Sequence, residues 1–194
     1  MRQGALCLGL LIGASAAQAQ EFLVHPYLQQ MTPTSVWVLW ETSSGSDSQV
    51  AWGPTANLGQ TAQGTSFLNA GGRIHEVLLR DLEPDRTYHY QVRTGNARSA
   101  IQTFHTPHAQ ASEAPLRFAV LSDMQRDHRQ PEVYRMLLDQ GVVPFCRAEE
   151  GTELPEALSM VLIPGDLVDN GLNVRQWRDE FFADGRNVMG RVPF

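Results

Sequence analysis

The chain changes its hydrophobic pattern once, and that change limits what it can fold into. Thr34 to Thr42 sets Val36, Val38 and Trp40 against Trp37 and Leu39, the period of two that a pleated strand requires. Gln49 to Trp52, Ile74 to Leu79, Thr87 to Thr94 and Ala100 to Phe104 repeat the theme. Turn residues separate these runs: Ser43 to Asp47, Gly53-Pro54, Gly71-Gly72, Glu83-Pro84-Asp85 and Gly95-Asn96. Short strands at this spacing with no helix between them predict a β-sandwich. Thr106 to Pro115 is polar, small and bracketed by prolines, and reads as a linker. Beyond it the pattern becomes strand, helix, strand, helix. Leu116 to Leu121 and Ser159 to Ile163 are near-continuous apolar runs, as strands buried on both faces should be. Pro131 to Gln140 and Asn173 to Phe182 carry apolar residues at helical spacing. That order predicts a parallel sheet with right-handed crossovers. Residues 141 to 157 fit neither pattern, since Pro144, Gly151 and Pro155 interrupt them.

Residues 1–19 read as a cleavable signal peptide. Arg2 supplies a positive start, Leu6 to Gly13 is too short an apolar run to span a bilayer, and Ala17-Gln18-Ala19 has the small-x-small cleavage pattern. The expected mature product begins at Gln20, is secreted or periplasmic, and has no membrane span. It keeps one cysteine, Cys146, and so has no internal disulfide. The formal net charge is -6, which argues against nucleic acid or an anionic membrane as the main partner. A small phosphorylated substrate is not excluded, because a bound metal can override net charge locally. We expect domain boundaries at 20–107 for the sandwich, 108–115 for the linker and 116–194 for the α/β part. Two parallel strands do not make a covered sheet, so the α/β part is expected to be incomplete.

Ser122-Asp123-Met124-Gln125 and Pro164-Gly165-Asp166-Leu167-Val168-Asp169 each place an aspartate after an apolar strand. Ligands bind at that edge of an open α/β sheet. Neighbouring strands lie about 4.8 Å apart, so two carboxylates there repel unless a cation joins them, and hard oxygens suit divalent or trivalent ions. Either aspartate alone would equally serve as a helix cap or turn residue. Gly165 is expected to allow close backbone approach, and Gly171 to take a left-handed turn. His128, with Arg126 and Arg129, reads as a solvated loop in preference to a phosphate clamp. His25, His75, His89 and His105 read as surface or sheet residues, and His108 as part of the linker. The tryptophans and Cys146 read as packing.

Leu82-Glu83-Pro84-Asp85-Arg86-Thr87-Tyr88-His89-Tyr90 resembles the corner of a fibronectin type III domain, in which a tyrosine hydroxyl bonds back to the turn. The order sandwich, linker, F-A-V-L-S-D-M-Q, L-I-P-G-D-L-V-D-N-G resembles the calcineurin-like metallophosphoesterases. It is most similar to the branch whose catalytic domain follows a purple acid phosphatase-type N-terminal domain. The resemblance implies a metal-dependent phosphatase with two metal ions of the Fe, Zn or Mn class. Asp123 would be a terminal ligand and Asp166 the bridge. Gln125 stands where the family has histidine or glycine, and Asp169 where purple acid phosphatases have tyrosine, so both are lesser candidates. The resemblance also implies later Asn-His and histidine motifs that this sequence does not contain. By that reading the chain is the N-terminal part of the enzyme, with no complete catalytic set of its own. The other reading is a secreted binding or adhesion module with an inert α/β remnant.

Overall fold

The computed structural model describes residues 20–109, 112–126 and 132–194. Residues 1–19, which carry the expected signal peptide, and His128, Arg129 and Pro131 lie outside the described residues.

The first half is a sandwich of two antiparallel sheets. One has the order β1 (Phe22–Thr32), β2 (Ser35–Thr42), β6 (Gly72–Leu79), β5 (Thr65–Asn69). The other has the order β4 (Gln60–Gln63), β3 (Gln49–Gly53), β7 (Thr87–Thr94), β8 (Ala97–Arg98), with β9 (Gln102–His105) also paired to β7. The alternation in β2 does what a period of two dictates. Val36, Val38 and Trp40 are fully buried between the sheets with Val77, Leu79, Val92, Tyr90 and Phe104. Trp37 and Leu39 point the other way and are half-buried.

The corner forms as its residues predict. Tyr88 is buried, and its hydroxyl accepts the Glu83 N–H at 2.9 Å. Tyr88→Phe leaves that N–H without its partner, and should cost about 1–2 kcal/mol. Denaturant unfolding checks this, and an unchanged midpoint would contradict it.

His75 is a sheet residue, one of its two expected places. It sits on β6 but is fully buried, stacked on Trp40 at 5.0 Å. Its Nε2 lies 2.7 Å from Thr42 Oγ1 and its Nδ1 2.9 Å from Ser48 Oγ. Burial, helped by the Arg73 charge, lowers its pKa from 6.5 to about 4. The unfolded chain therefore binds a proton near pH 6.5 that the fold refuses until about pH 4. Stability from this group is present above pH 6.5 and is lost as pH falls through that window, at about 1.4 kcal/mol per unit. Unfolding midpoints measured at pH 7, 6 and 5 should fall in step, and His75→Leu should flatten the trend. A midpoint independent of pH between 7 and 5 would contradict it.

The second half is α/β. Parallel strands β10 (Phe118–Val120) and β11 (Met160–Leu162) pair with Ala119 opposite Val161. The Leu121 N–H donates to Leu162 O on the β10 side, while the Val161 N–H donates to Pro193 O. Successive strand residues offer their backbone groups to opposite edges, so residue 193 lies along the other edge of β11. The predicted burial of β10 on both faces is corrected: Phe118 is 50% and Val120 58% exposed. Two short strands and one flanking residue do not give that face a cover.

Both helices outrun their predicted ends. The first runs through Val133–Met136, a π-helical stretch Leu137–Val142 and Val143–Glu150. The wider π turn relieves the clash that Pro144 would otherwise make with the preceding turn. The helix ends at Gly151, in the left-handed conformation at φ 65°, whose N–H caps Arg147 O. A short helix, Leu154–Ala157, precedes β11. The last helix runs through Val174–Gln176, Trp177–Phe182 and Ala183–Met189. Gly185 inside it is needed for close packing, because a Cβ there would lie 2.8 Å from the Tyr134 hydroxyl. Cys146 is buried in this second core with Tyr134, Leu138, Leu154, Phe181 and Val188.

The outer face of β1–β2 meets the second body. Tyr27 packs on Phe182 at 4.8 Å between ring centroids. The Tyr90 hydroxyl donates to Gly190 O at 2.6 Å, and Thr87 Oγ1 to Glu156 at 2.8 Å. No described helix is long and apolar enough to cross a membrane.

Candidate functional site

Asp123 and Asp166 follow β10 and β11 at the same end of the sheet. The two loops are joined through one atom. The Asp166 carbonyl oxygen accepts the Met124 N–H at 2.9 Å and the Gln125 N–H at 3.2 Å. That pair of hydrogen bonds clamps the backbone of one aspartate loop onto the other, and Met124 is buried. Asp123 and Asp166 both adopt left-handed backbone, at φ 56° and 53°. Such conformations cost a non-glycine residue on the order of 1 kcal/mol and gather at functional sites. This corrects the expectation for the glycines. Neither Gly165 nor Gly171 has a positive φ, and a Cβ on either would meet nothing within 4 Å. The aspartates themselves make the turns.

Both carboxylates are exposed to solvent, as is that of Asp169. Gln125 differs. Its Oε1 is buried and has no hydrogen-bond partner among the described residues. A buried carbonyl oxygen without a donor is costly, and a hard cation would satisfy it as a donor would. The oxygen donors on these two loops fit the hard-ion chemistry that the sequence suggests. Among the described residues, no group of three His, Cys, Asp or Glu stands ready to hold a metal. The two loops therefore present exposed carboxylates on a backbone joined at one carbonyl.

Arg126 turns away from this edge. It donates to the Asp179 carbonyl at 3.0 Å and pairs with the buried Asp184 at 3.3 Å. It ties the Asp123 loop to the last helix and is not directed at a phosphate. The Asp166 loop is held from its other end. The Asn170 N–H donates to Gln176 Oε1 at 2.7 Å and Trp177 Nε1 donates to Gly171 O at 2.9 Å. Asn173 caps the helix by accepting the Arg175 N–H at 3.1 Å. Trp177 and Trp37 are half-buried, unlike the core residues Trp40 and Trp52. They line an apolar cavity of about 850 Å³ between β2 and the last helix, which neither Asp123 nor Asp166 lines.

Sequence reasoning missed Glu41 and Arg178. Glu41 is the next residue after Leu39 on the outer face of β2, and is only 3% exposed. Trp37 and Leu39 on a face turned from the sandwich core were the available signal that something docks there.

The family model for the purple acid phosphatase N-terminal domain matches residues 22–106, the span of the sandwich. Residues 22–106 are thus similar to a purple acid phosphatase N-terminal domain. Over 87% of its length the chain also shares a fold with PhoD, at a TM-score of 0.55 and 14% identity. The likeness reaches through the purple acid phosphatase-type sandwich into the α/β part. The chain spans 35% of PhoD's length. The sensor domain of the anti-sigma factor RsgI4 of Pseudobacteroides cellulosolvens is 19% identical, with a TM-score of 0.39, and the match covers 50% of this chain and 99% of that domain. A human collagen α1(XX) fn3 domain is 20% identical, with a TM-score of 0.32, covering 53% of this chain and 98% of that domain. No curated protein matches the chain.

Proposed function

We propose that this chain is the leading part of an exported, metal-dependent phosphoesterase that acts on small phosphorylated substrates. Its units are the purple acid phosphatase-type sandwich at 20–107, a linker at 108–115 and the first part of the catalytic domain at 116–194. Export rests on the pattern of residues 1–19. PhoD is a metallophosphoesterase, and this chain's fold follows it through both units. The observation that carries the reading is the clamp at Asp166. One carbonyl joins the two aspartate loops at the carboxyl end of a parallel pair, where α/β folds bind their ligands.

In this reading Asp123 and Asp166 hold metal through their carboxylates. Gln125 Oε1 adds a neutral oxygen or accepts a hydrogen bond at the site, and Asp169 is a further carboxylate on the same loop. A bound divalent or trivalent ion supplies Lewis acidity toward a phosphate ester. The protein's share is to keep two like charges side by side on a backbone that does not relax. Arg126, engaged with Asp184, leaves phosphate recognition to other groups.

Residues 20–194 alone should show negligible turnover of an aryl phosphate. Hard ions take about six oxygen donors each, more than these loops supply for two. A polypeptide joining this chain to the remainder of a metallophosphoesterase domain should hydrolyse the same ester, lose activity to a chelator and regain it with added metal. Robust turnover by residues 20–194, sensitive to Asp166→Asn, would contradict the division of the site.

A further inference from the structure

We infer that the purple acid phosphatase-type sandwich positions the Asp166 loop, through the pair Glu41–Arg178. The inference rests on the metal reading of that loop and gives the sandwich a part in it.

Arg178 lies in the first turns of the last helix, one residue after Trp177. Its Nε donates to Glu41 Oε2 at 2.7 Å and its Nη2 to Glu41 Oε1 at 2.6 Å. The same Nη2 lies 3.3 Å from the carbonyls of Asn69 and of Ala70. Glu41 also accepts Asn69 Nδ2 at 3.0 Å. This is a two-pronged, charge-assisted pair, which fixes orientation as well as distance. Its side chains are 15% and 4% exposed, so solvent screens it little.

Arg178 does not stand alone on its helix. Gln176 and Trp177, the residues before it, hold Asn170 N–H and Gly171 O of the loop that begins at Asp166. Three consecutive side chains thus link the loop to the sandwich: two grip the loop and the third grips β2. A sandwich serving only as a tether has no use for a buried carboxylate on its outer face. Without Arg178, Glu41 would be a buried charge with a single neutral donor, which is strongly unfavourable. Burial of Glu41 therefore makes sense only with the helix docked, and the docked helix sets the loop.

Arg178 is a positioning residue, since it touches neither candidate ligand. The test is amide hydrogen exchange and Mn²⁺ binding on the whole chain with Arg178→Met, Arg178→Lys and Glu41→Gln. Arg178→Met removes both prongs of the pair and should speed exchange of the Asn170, Met124 and Gln125 amides by at least on the order of tenfold. Exchange in β2 and β6 at Val38 and Val77 should not change. Mn²⁺ affinity should fall several-fold in parallel. Arg178→Lys keeps the charge but not the fork and should fall between. Should Arg178→Met fail to fold, Glu41→Gln and Arg178→Lys carry the same readouts. Unchanged exchange at the three loop amides in folded variants overturns the positioning role. Absence of Mn²⁺ binding in the unsubstituted chain overturns the metal reading instead.

Discussion

Trp40→Ala is expected to destabilise the sandwich by about 4 kcal/mol, within the range for removing a large buried aromatic. Trp40 is the largest of the fully buried side chains. Its loss opens a void that β2 and β6 close only in part, because both are locked in register from Val36 opposite Leu79 to Thr42 opposite Arg73. It also removes the indole donor to Thr94 Oγ1 at 2.9 Å, leaving a buried hydroxyl, and strips the stacking face from His75. A small domain has about 5–15 kcal/mol in all, so the variant should lose between about a quarter and four-fifths of its stability. Denaturant unfolding followed by fluorescence of the remaining tryptophans measures this. Trp37→Ala, half-buried on the opposite face of the same strand, should cost less. A loss under about 1.5 kcal/mol for Trp40→Ala would contradict the packing described.

The second large effect concerns chemistry. In a polypeptide that completes the catalytic domain, Asp166→Asn should reduce hydrolysis of an aryl phosphate by at least ~10³-fold. That exceeds the loss of one transition-state donor. The substitution keeps the backbone carbonyl that clamps Met124 and Gln125, and asparagine tolerates left-handed backbone as aspartate does. Fold and loop pairing are thus preserved, and only the negative oxygen is withdrawn. Asp169→Asn, on the same loop with an exposed side chain, is the comparison and should have a smaller effect. Equal activity in the Asp166→Asn protein would show that the carboxylate holds nothing.

The alternation in β2 and the Leu82–Tyr90 corner were legible because each is local: a period of two or a spacing of a few residues decides which atoms meet. That Asp123 and Asp166 fall in the loops after the two parallel strands was legible for the same reason. The helix ends were not. Pro144 and Gly151 read as interruptions, yet the first helix passes Pro144 behind a π turn and stops only at Gly151. The left-handed turns fell on Asp123 and Asp166, although Gly165 offered a cheaper place for the second. Glu41 and Arg178 are 137 residues apart. No periodicity joins such a pair, and only the docking of one body on the other brings them together. The buried, unpartnered Oε1 of Gln125 was likewise invisible, since a glutamine in a loop is ordinarily solvated.

Direct metal binding by the intact chain tests the central claim most closely. Mn²⁺ titrated into the protein and followed by electron paramagnetic resonance should show one weak site, with a dissociation constant of about 10⁻⁴–10⁻³ M, as befits a few oxygen donors. Asp123→Asn and Asp166→Asn should each abolish it while the unfolding midpoint stays unchanged. Equal Mn²⁺ binding by the unsubstituted chain and an Asp123→Asn/Asp166→Asn double variant would contradict the account.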